Sequence, residues 1–433
     1  MKQLLMVITL AAALQSSSQT KQAAMDSMVN SYYRMNRFNG VVLVTKGNKV
    51  LLNKAYGTAN KRKQTQLSTE SIFQIYSITK PFTSTLVLML AQKNQLNLDD
   101  TLSKYFNFPS ADKIIIRQLL SHTSGLYEFT RDSNHGEPDS ISFINYIKTK
   151  PLDFTPGSSW SYSNSGYWML GLIIEKITGM SYEKAVEKMI FEPLKMKHSG
   201  FYFSKLEDVN KTAGYWNIFD SSMTESEVYG GRSAYAAGAI YSTAGDLLLF
   251  HRALQSGKLL SPESLQDAYT IIKANYGLGW ILSDFDNKHL VYHSGGAAGY
   301  RTNMLRIPSE DICIIVLANT ESTSAQKLTD KLLLITLNKP YFIPGTVPEQ
   351  TDSLQVYTGI FKASEFDIVV SIEKGDLVAE IKDRGKTILY RRKPGVYYAD
   401  ELDTDFIFGY DESGKIVSLT FSKGSQKIEA KKK

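Results

Sequence analysis

Apolar and polar positions follow two rhythms along this chain. Val41-Val42-Leu43-Val44-Thr45 and Val50-Leu51-Leu52 flank Lys46-Gly47-Asn48-Lys49, so a β-hairpin turning at Gly-Asn is predicted. From Ser77 to Gln92 the period becomes helical, with Phe82, Leu86, Met89 and Leu90 on one face. A helical pattern over 168–177 ends at Gly179, Ser181 opens another helix, and Ser242 to Asp246 offers capping groups to Leu247-Leu248-Leu249-Phe250. Stretches 276–280, 290–293, 302–306 and 312–317 read as short strands, and 327–337 as a helix. An early hairpin and late strands with helices between them predict a mixed α/β (α+β) domain.

The rhythm changes after Pro340, Pro344, Gly345 and Pro348, which mark residues 339–354 as a linker. Apolar runs at 368–372, 377–381, 387–390, 406–408 and 416–421 are then separated by Lys374-Gly375, Asp383-Arg384-Gly385 and Ser413-Gly414. Such even spacing predicts a small antiparallel β-barrel or sandwich over 355–433. At the other end, Met1-Lys2-Gln3 precedes the apolar run Leu4 to Leu14, with Ser16 and Ser18 as small residues before a cleavage point. Residues 1–18 therefore read as a secretory signal, too short to span a bilayer, and the expected location is periplasmic or secreted. This leaves 19–338 as the main domain.

Composition narrows the chemistry. The chain has 433 residues, 43% of them hydrophobic, and a formal charge of +6. That suits a substantial core and mild attraction to anionic surfaces. No arginine-rich helix, zinc-finger spacing or aromatic ribonucleoprotein motif points to nucleic acid. The six histidines show no zinc-ligand spacing, and no Gly-rich nucleotide loop is present. Neither metal nor cofactor is expected. Cys313, the single cysteine, sits in the apolar run Ile312 to Leu317 and reads as a core residue.

Candidate chemistry begins at Tyr76-Ser77-Ile78-Thr79-Lys80. Six serines in the chain precede a lysine at this spacing, but only Ser77 stands where a loop enters an apolar helix after the hairpin. There the hydroxyl and amine share a helical face. Tyr162-Ser163-Asn164 lies in a small polar loop, 156–167, leading into a helix, and His293-Ser294-Gly295-Gly296 ends a strand candidate. Taken singly, each reads as well as a cap, a loop or a turn.

In this order and these settings, the three motifs resemble those of the penicillin-recognising enzymes, a superfamily of class C β-lactamases, DD-peptidases, D-aminopeptidases and esterases. The stretches Leu119 to Leu126, Ala236-Ala237-Gly238 with Ser242 to Asp246, and Tyr276-Gly277-Leu278-Gly279-Trp280 extend the similarity over about 39–319. The C-terminal segment resembles the lipocalin-like appendage of some members. The resemblance implies an antiparallel sheet flanked by helices, joined to an all-helical region. It further implies Ser77 as nucleophile, Lys80 as its proton acceptor and Tyr162 as proton shuttle. Asn164 would hold the substrate amide, His293, Ser294, Gly295 and Gly296 would line the substrate, and the Ser77 and Gly296 N–H groups would form an oxyanion hole.

His293 stands where β-lactamases carry lysine. A histidine holds charge only part of the time near neutrality, so a substrate carboxylate is less well served, although Arg301 could supply another cation. The expected activity is hydrolysis through a Ser77 acyl-enzyme of a D-amino-acid peptide or an ester, with a cell-wall peptide or a β-lactam as partner molecule. A true β-lactamase and a non-hydrolytic penicillin-binding or cell-wall-peptide sensor protein are the alternatives. The sequence leaves the oligomeric state open.

Overall fold

A computed structural model of the chain describes residues 20–132, 139–219, 224–228, 231–345, 354–381, 385–423 and 426–433. The expected signal sequence and residues 346–353 of the expected linker lie outside the described residues. The chain forms two compact units: one reaches to Asp26 and continues from Asn36 to Asn338, and the other joins Ser27–Met35 to Lys339–Lys433.

In the first unit the hairpin strands β1 (Gly40–Lys46) and β2 (Lys49–Tyr56) enter a six-stranded sheet with β3 (Ile281–Phe285), β4 (Lys288–Ala297), β5 (Tyr300–Ile307) and β6 (Ile312–Ala318). The order is β2-β1-β6-β5-β4-β3, antiparallel throughout. Val42 lies between Lys54 of β2 and Val316 of β6, so the two ends of this unit share one sheet. All seven residues of β6 are buried, which is why its sequence reads as an unbroken apolar run. Cys313 is among them, and burial pushes its thiol up to about 12.

The helical region surrounds α1 (Thr79–Gln92), which follows a 3-10 turn over Tyr76–Ile78 and is buried on nearly every side. Phe82 stacks on Phe250 with ring centroids 3.9 Å apart. The polar residues of α1 are satisfied inside: Thr83 donates to the Ala236 carbonyl at 2.7 Å and Ser84 to that of Leu278 at 2.6 Å. Further along the chain, α2 (Asn164–Thr178) starts under the cap of Ser163, whose hydroxyl accepts the Gly166 N–H at 3.0 Å, and ends at Gly179 with φ 66°. It begins four residues before the expected start at 168.

The expected strand at 276–280 is instead a turn, and the strand is β3, which follows it. Gly279 has φ 86°, a conformation that extended strands do not use. β4 runs to Ala297, well past the expected 293, and so carries both glycines of the third motif.

In the second unit eight strands, β7 (Gly359–Lys362), β8 (Asp367–Glu373), β9 (Asp376–Ile381), β10 (Gly385–Lys393), β11 (Val396–Ala399), β12 (Thr404–Tyr410), β13 (Ile416–Lys423) and β14 (Gln426–Lys432), pair in sequence. β7 pairs with both β8 and β14, so the sheet is a closed barrel rather than a sandwich. Its interior holds Phe361, Leu377, Tyr397, Phe406, Phe408 and Leu419. Tyr32, from segment 27–35, donates to Asp400 Oδ1 at 2.8 Å. Among the described residues no helix is long and apolar enough to cross a membrane.

Candidate active site

The approach of β4 to the segment before α1 sets the position of Ser77. A Cβ on Gly295 would lie 2.1 Å from the Ile75 carbonyl oxygen, so only glycine permits this contact. The Thr302 hydroxyl lies 3.1 Å from that carbonyl and 3.2 Å from that of Gly295. Tyr76 takes φ 46°, an uncommon backbone for a bulky residue, and the chain turns there into the Ser77 position.

Lys80 is fully buried, and its Nζ has three neighbours: Ser77 Oγ at 3.1 Å, Asn164 Oδ1 at 2.9 Å and the Ala237 carbonyl at 2.9 Å. Burial lowers its pKa to about 7, against an opposing pull from the Glu128 carboxylate. The geometry then favours one proton arrangement. Two of the three neighbours are oxygens that can only accept, and a neutral amine has two N–H bonds to give them. Its lone pair is left for the Ser77 O–H.

Tyr162 and Asn164 flank the pair. Lys80 Nζ lies 4.7 Å from the Tyr162 ring centroid, and the Tyr162 hydroxyl is hydrogen-bonded to Ser77. Burial raises the Tyr162 pKa above its ordinary value, an effect the Ser77 contact partly offsets. Asn164 ties Oδ1 and one N–H of its amide within the protein: Oδ1 accepts from Lys80, and Nδ2 donates to Glu128 Oε1 at 3.2 Å. Sequence reasoning assigned nothing to Glu128. It is 7% exposed, accepts the Asn164 N–H at 2.6 Å and that of Ser165 at 3.3 Å, and takes the Thr130 hydroxyl at 2.6 Å. A carboxylate at the start of α2 is favoured by the unpaired N–H groups there.

The third motif divides. Ser77, Tyr162, Asn164 and Gly296 line one cleft of about 380 Å³, closed on other sides by Phe129 and Ala237. His293, Ser294 and Gly295 are not among its lining residues. His293 is buried, its Nδ1 2.7 Å from the Ser294 carbonyl and its Nε2 3.0 Å from the Tyr276 hydroxyl. A carbonyl only accepts, so Nδ1 carries the proton and Nε2 accepts from Tyr276. Burial and the nearby Lys80 hold its pKa at about 3, so the partial charge expected near neutrality is absent. Arg301 is paired with Glu321 at 2.7 Å and also donates to the Tyr300 carbonyl at 2.8 Å.

A hydroxyl that can pass its proton to a neutral amine, beside a phenol and two inward-facing backbone segments, can form and break an ester with an acyl group. A family model described as Beta-lactamase matches residues 25–337. Penicillin-binding protein 4* of Bacillus subtilis (strain 168) is 29% identical over 357 residues, covering 75% of this chain and 78% of its own. Protein flp of Staphylococcus aureus (strain NCTC 8325 / PS 47) is 30% identical over 307 residues, 67% of this chain and 61% of its own. Among solved structures, the octameric penicillin-binding protein homologue from Pyrococcus abyssi superposes with a TM-score of 0.69 at 22% identity, over 94% of this chain and 99% of that one. The D-amino acid amidase from Ochrobactrum anthropi SV3, complexed with L-phenylalanine amide, gives 0.66 at 22% identity, over 74% and 99%. Identities this low among the solved structures speak for the fold.

Proposed function

The chain belongs to the beta-lactamase family and is a serine hydrolase, and we propose that after export it acts through a Ser77 acyl-enzyme on D-amino-acid amides, peptides or esters. One observation carries this reading: a buried amine with pKa about 7, 3.1 Å from Ser77 Oγ, whose other neighbours take its N–H bonds. Lys80 accepts the Ser77 proton as Oγ bonds to the substrate carbonyl carbon. The Ser77 and Gly296 N–H groups hold the resulting oxyanion. Tyr162 gives its phenol proton to the leaving nitrogen or oxygen as its bond to carbon breaks and regains one from the water that attacks the acyl group, and Lys80 returns its proton to Ser77 Oγ as the acyl–oxygen bond breaks. Asn164, tied to Lys80 and Glu128, holds the amine in place, with its remaining N–H left for a substrate carbonyl. The apolar run 4–14 supports export.

The side of the substrate that lacks a carboxylate is favoured. His293 is uncharged and Arg301 is neutralised by Glu321, so neither offers the free cation that a β-lactam or a peptide C-terminus calls for. Amidase, aminopeptidase and esterase substrates therefore rank above β-lactams and carboxypeptidase substrates. The test is a panel of nitrocefin, p-nitrophenyl esters, D-alanyl amides and D-alanyl-D-alanine peptides, with acylated protein followed by intact mass. Esters and amides should turn over with an acyl adduct that Ser77→Ala abolishes. An adduct or fluorophosphonate label that survives in Ser77→Ala moves the nucleophile elsewhere, and adducts without turnover make the protein a binder.

A further inference from the structure

His122 belongs to none of the three motifs, yet it lies beneath the second. Its ring is 1% exposed, with its centroid 4.4 Å from that of Tyr162 and 4.5 Å from that of Tyr276. Nδ1 accepts the backbone N–H of Ser163 at 3.0 Å, the residue after Tyr162 and the cap of α2. The His122 carbonyl accepts the Ser161 N–H at 3.1 Å, so the residues on both sides of Tyr162 are tied to one histidine. Its backbone sits at φ 62°, a conformation that costs energy for a residue of this size.

With Nδ1 accepting, the ring proton is on Nε2. That atom is buried and has no hydrogen-bond partner among the described residues. An unsatisfied buried N–H is a cost that an apolar residue would avoid. The imidazole is therefore placed for what its other atoms do.

We propose that His122 is a positioning residue for Tyr162: it pins the loop through Ser163 and backs the phenol, keeping its hydroxyl on Ser77. This rests on the proton-transfer role proposed for Tyr162. Burial, with Lys80 nearby, disfavours a charge on His122, which keeps Nδ1 free to accept.

The test is a double-mutant cycle on p-nitrophenyl ester hydrolysis, with His122→Phe and His122→Asn each made alone and with Tyr162→Phe. His122→Phe keeps a ring and loses the acceptor; His122→Asn keeps an acceptor and loses the ring. Each alone should lower kcat about 10–100-fold, the scale of a small misplacement, with KM within about twofold. In the Tyr162→Phe enzyme neither should cost more than about twofold, because the group they position is already gone. Equal losses in both backgrounds would show general damage and overturn the proposal, as would an unchanged kcat. If His122→Phe does not fold, His122→Asn carries the same comparison. Undiminished activity of Tyr162→Phe alone would remove the role of Tyr162 itself, a failure distinct from a failed coupling.

Discussion

At the scale of the residue, the proposed mechanism turns on whether Lys80 is neutral. With its pKa near 7, kcat/KM for a neutral ester should rise tenfold per unit below pH 7 and level off above it. Glu128→Gln removes the carboxylate that favours the ammonium, so this limb should move to lower pH. A limb fixed in position would deny the Glu128 influence. Stability gives a second reading. The unfolded chain holds the Lys80 proton up to about its ordinary 10.5 and the native chain only to about 7. Between those values unfolding takes up a proton, so native stability rises with pH, by at most about 1.4 kcal/mol per unit. Below 7 the penalty is full and constant. Urea midpoints of wild type compared with Lys80→Met should diverge across that window, and parallel curves would mean that Lys80 titrates normally. That Ser77, Lys80 and Tyr162 come together was legible because each stands in a short motif. Glu128 was not, since its main partner Asn164 lies 36 positions away and no spacing announces it. The histidine of the third motif was visible, but its charge was not, because burial against Tyr276 and Lys80 sets it.

Among the elements, the meeting of β4 with the segment before α1 is the demanding joint. Gly295→Ala would drive a methyl into the Ile75 carbonyl, and a comparison with Gly179→Ala isolates that contact. Gly179 sits at φ 66° with nothing within 4 Å of a Cβ, so alanine there meets only backbone strain. It should cost about 1 kcal/mol and leave turnover intact. Gly295→Ala should cost about 1–3 kcal/mol and also slow acylation, because the shift falls between Ser77 and Gly296. Thermal unfolding with single-turnover acylation separates the two, and equal kinetics would free the joint of any catalytic role. Legibility at this scale followed side-chain pattern. The hairpin and β6 announced themselves through continuous apolar runs. The turn at 276–280 mimicked a strand because Tyr276, Leu278 and Trp280 alternate with glycines, yet Gly279 needs a positive φ. In the barrel, β14 escaped notice because Gln426 to Lys432 is mostly lysine and glutamate, with Ala430 in the apolar core and Ile428 packed against it.

At the scale of the whole chain, the first unit stops at Asn338, and the second unit takes in Ser27–Met35 besides Lys339–Lys433. No composition shift near residue 30 signals this, since Met28, Val29 and Tyr32 read as any helical apolar face. Their burial, at 0%, 0% and 3% exposure, belongs to the folded chain and not to the local pattern. The Tyr32 hydroxyl to Asp400 is a buried link between chain segments 368 positions apart. Asp400 directly follows β11, so the link bears on the strands that close that side of the barrel. Tyr32→Phe keeps the ring and removes the donor, leaving a buried carboxylate with one partner fewer. The loss should be about 1–3 kcal/mol. It should appear as faster amide exchange in β11 and β12, while the rate of fluorophosphonate labelling at Ser77 stays at the wild-type value. Unchanged exchange in those strands would mean that the segment 27–35 adds nothing to the barrel's stability, and slowed labelling would mean that its effect reaches the hydrolase cleft.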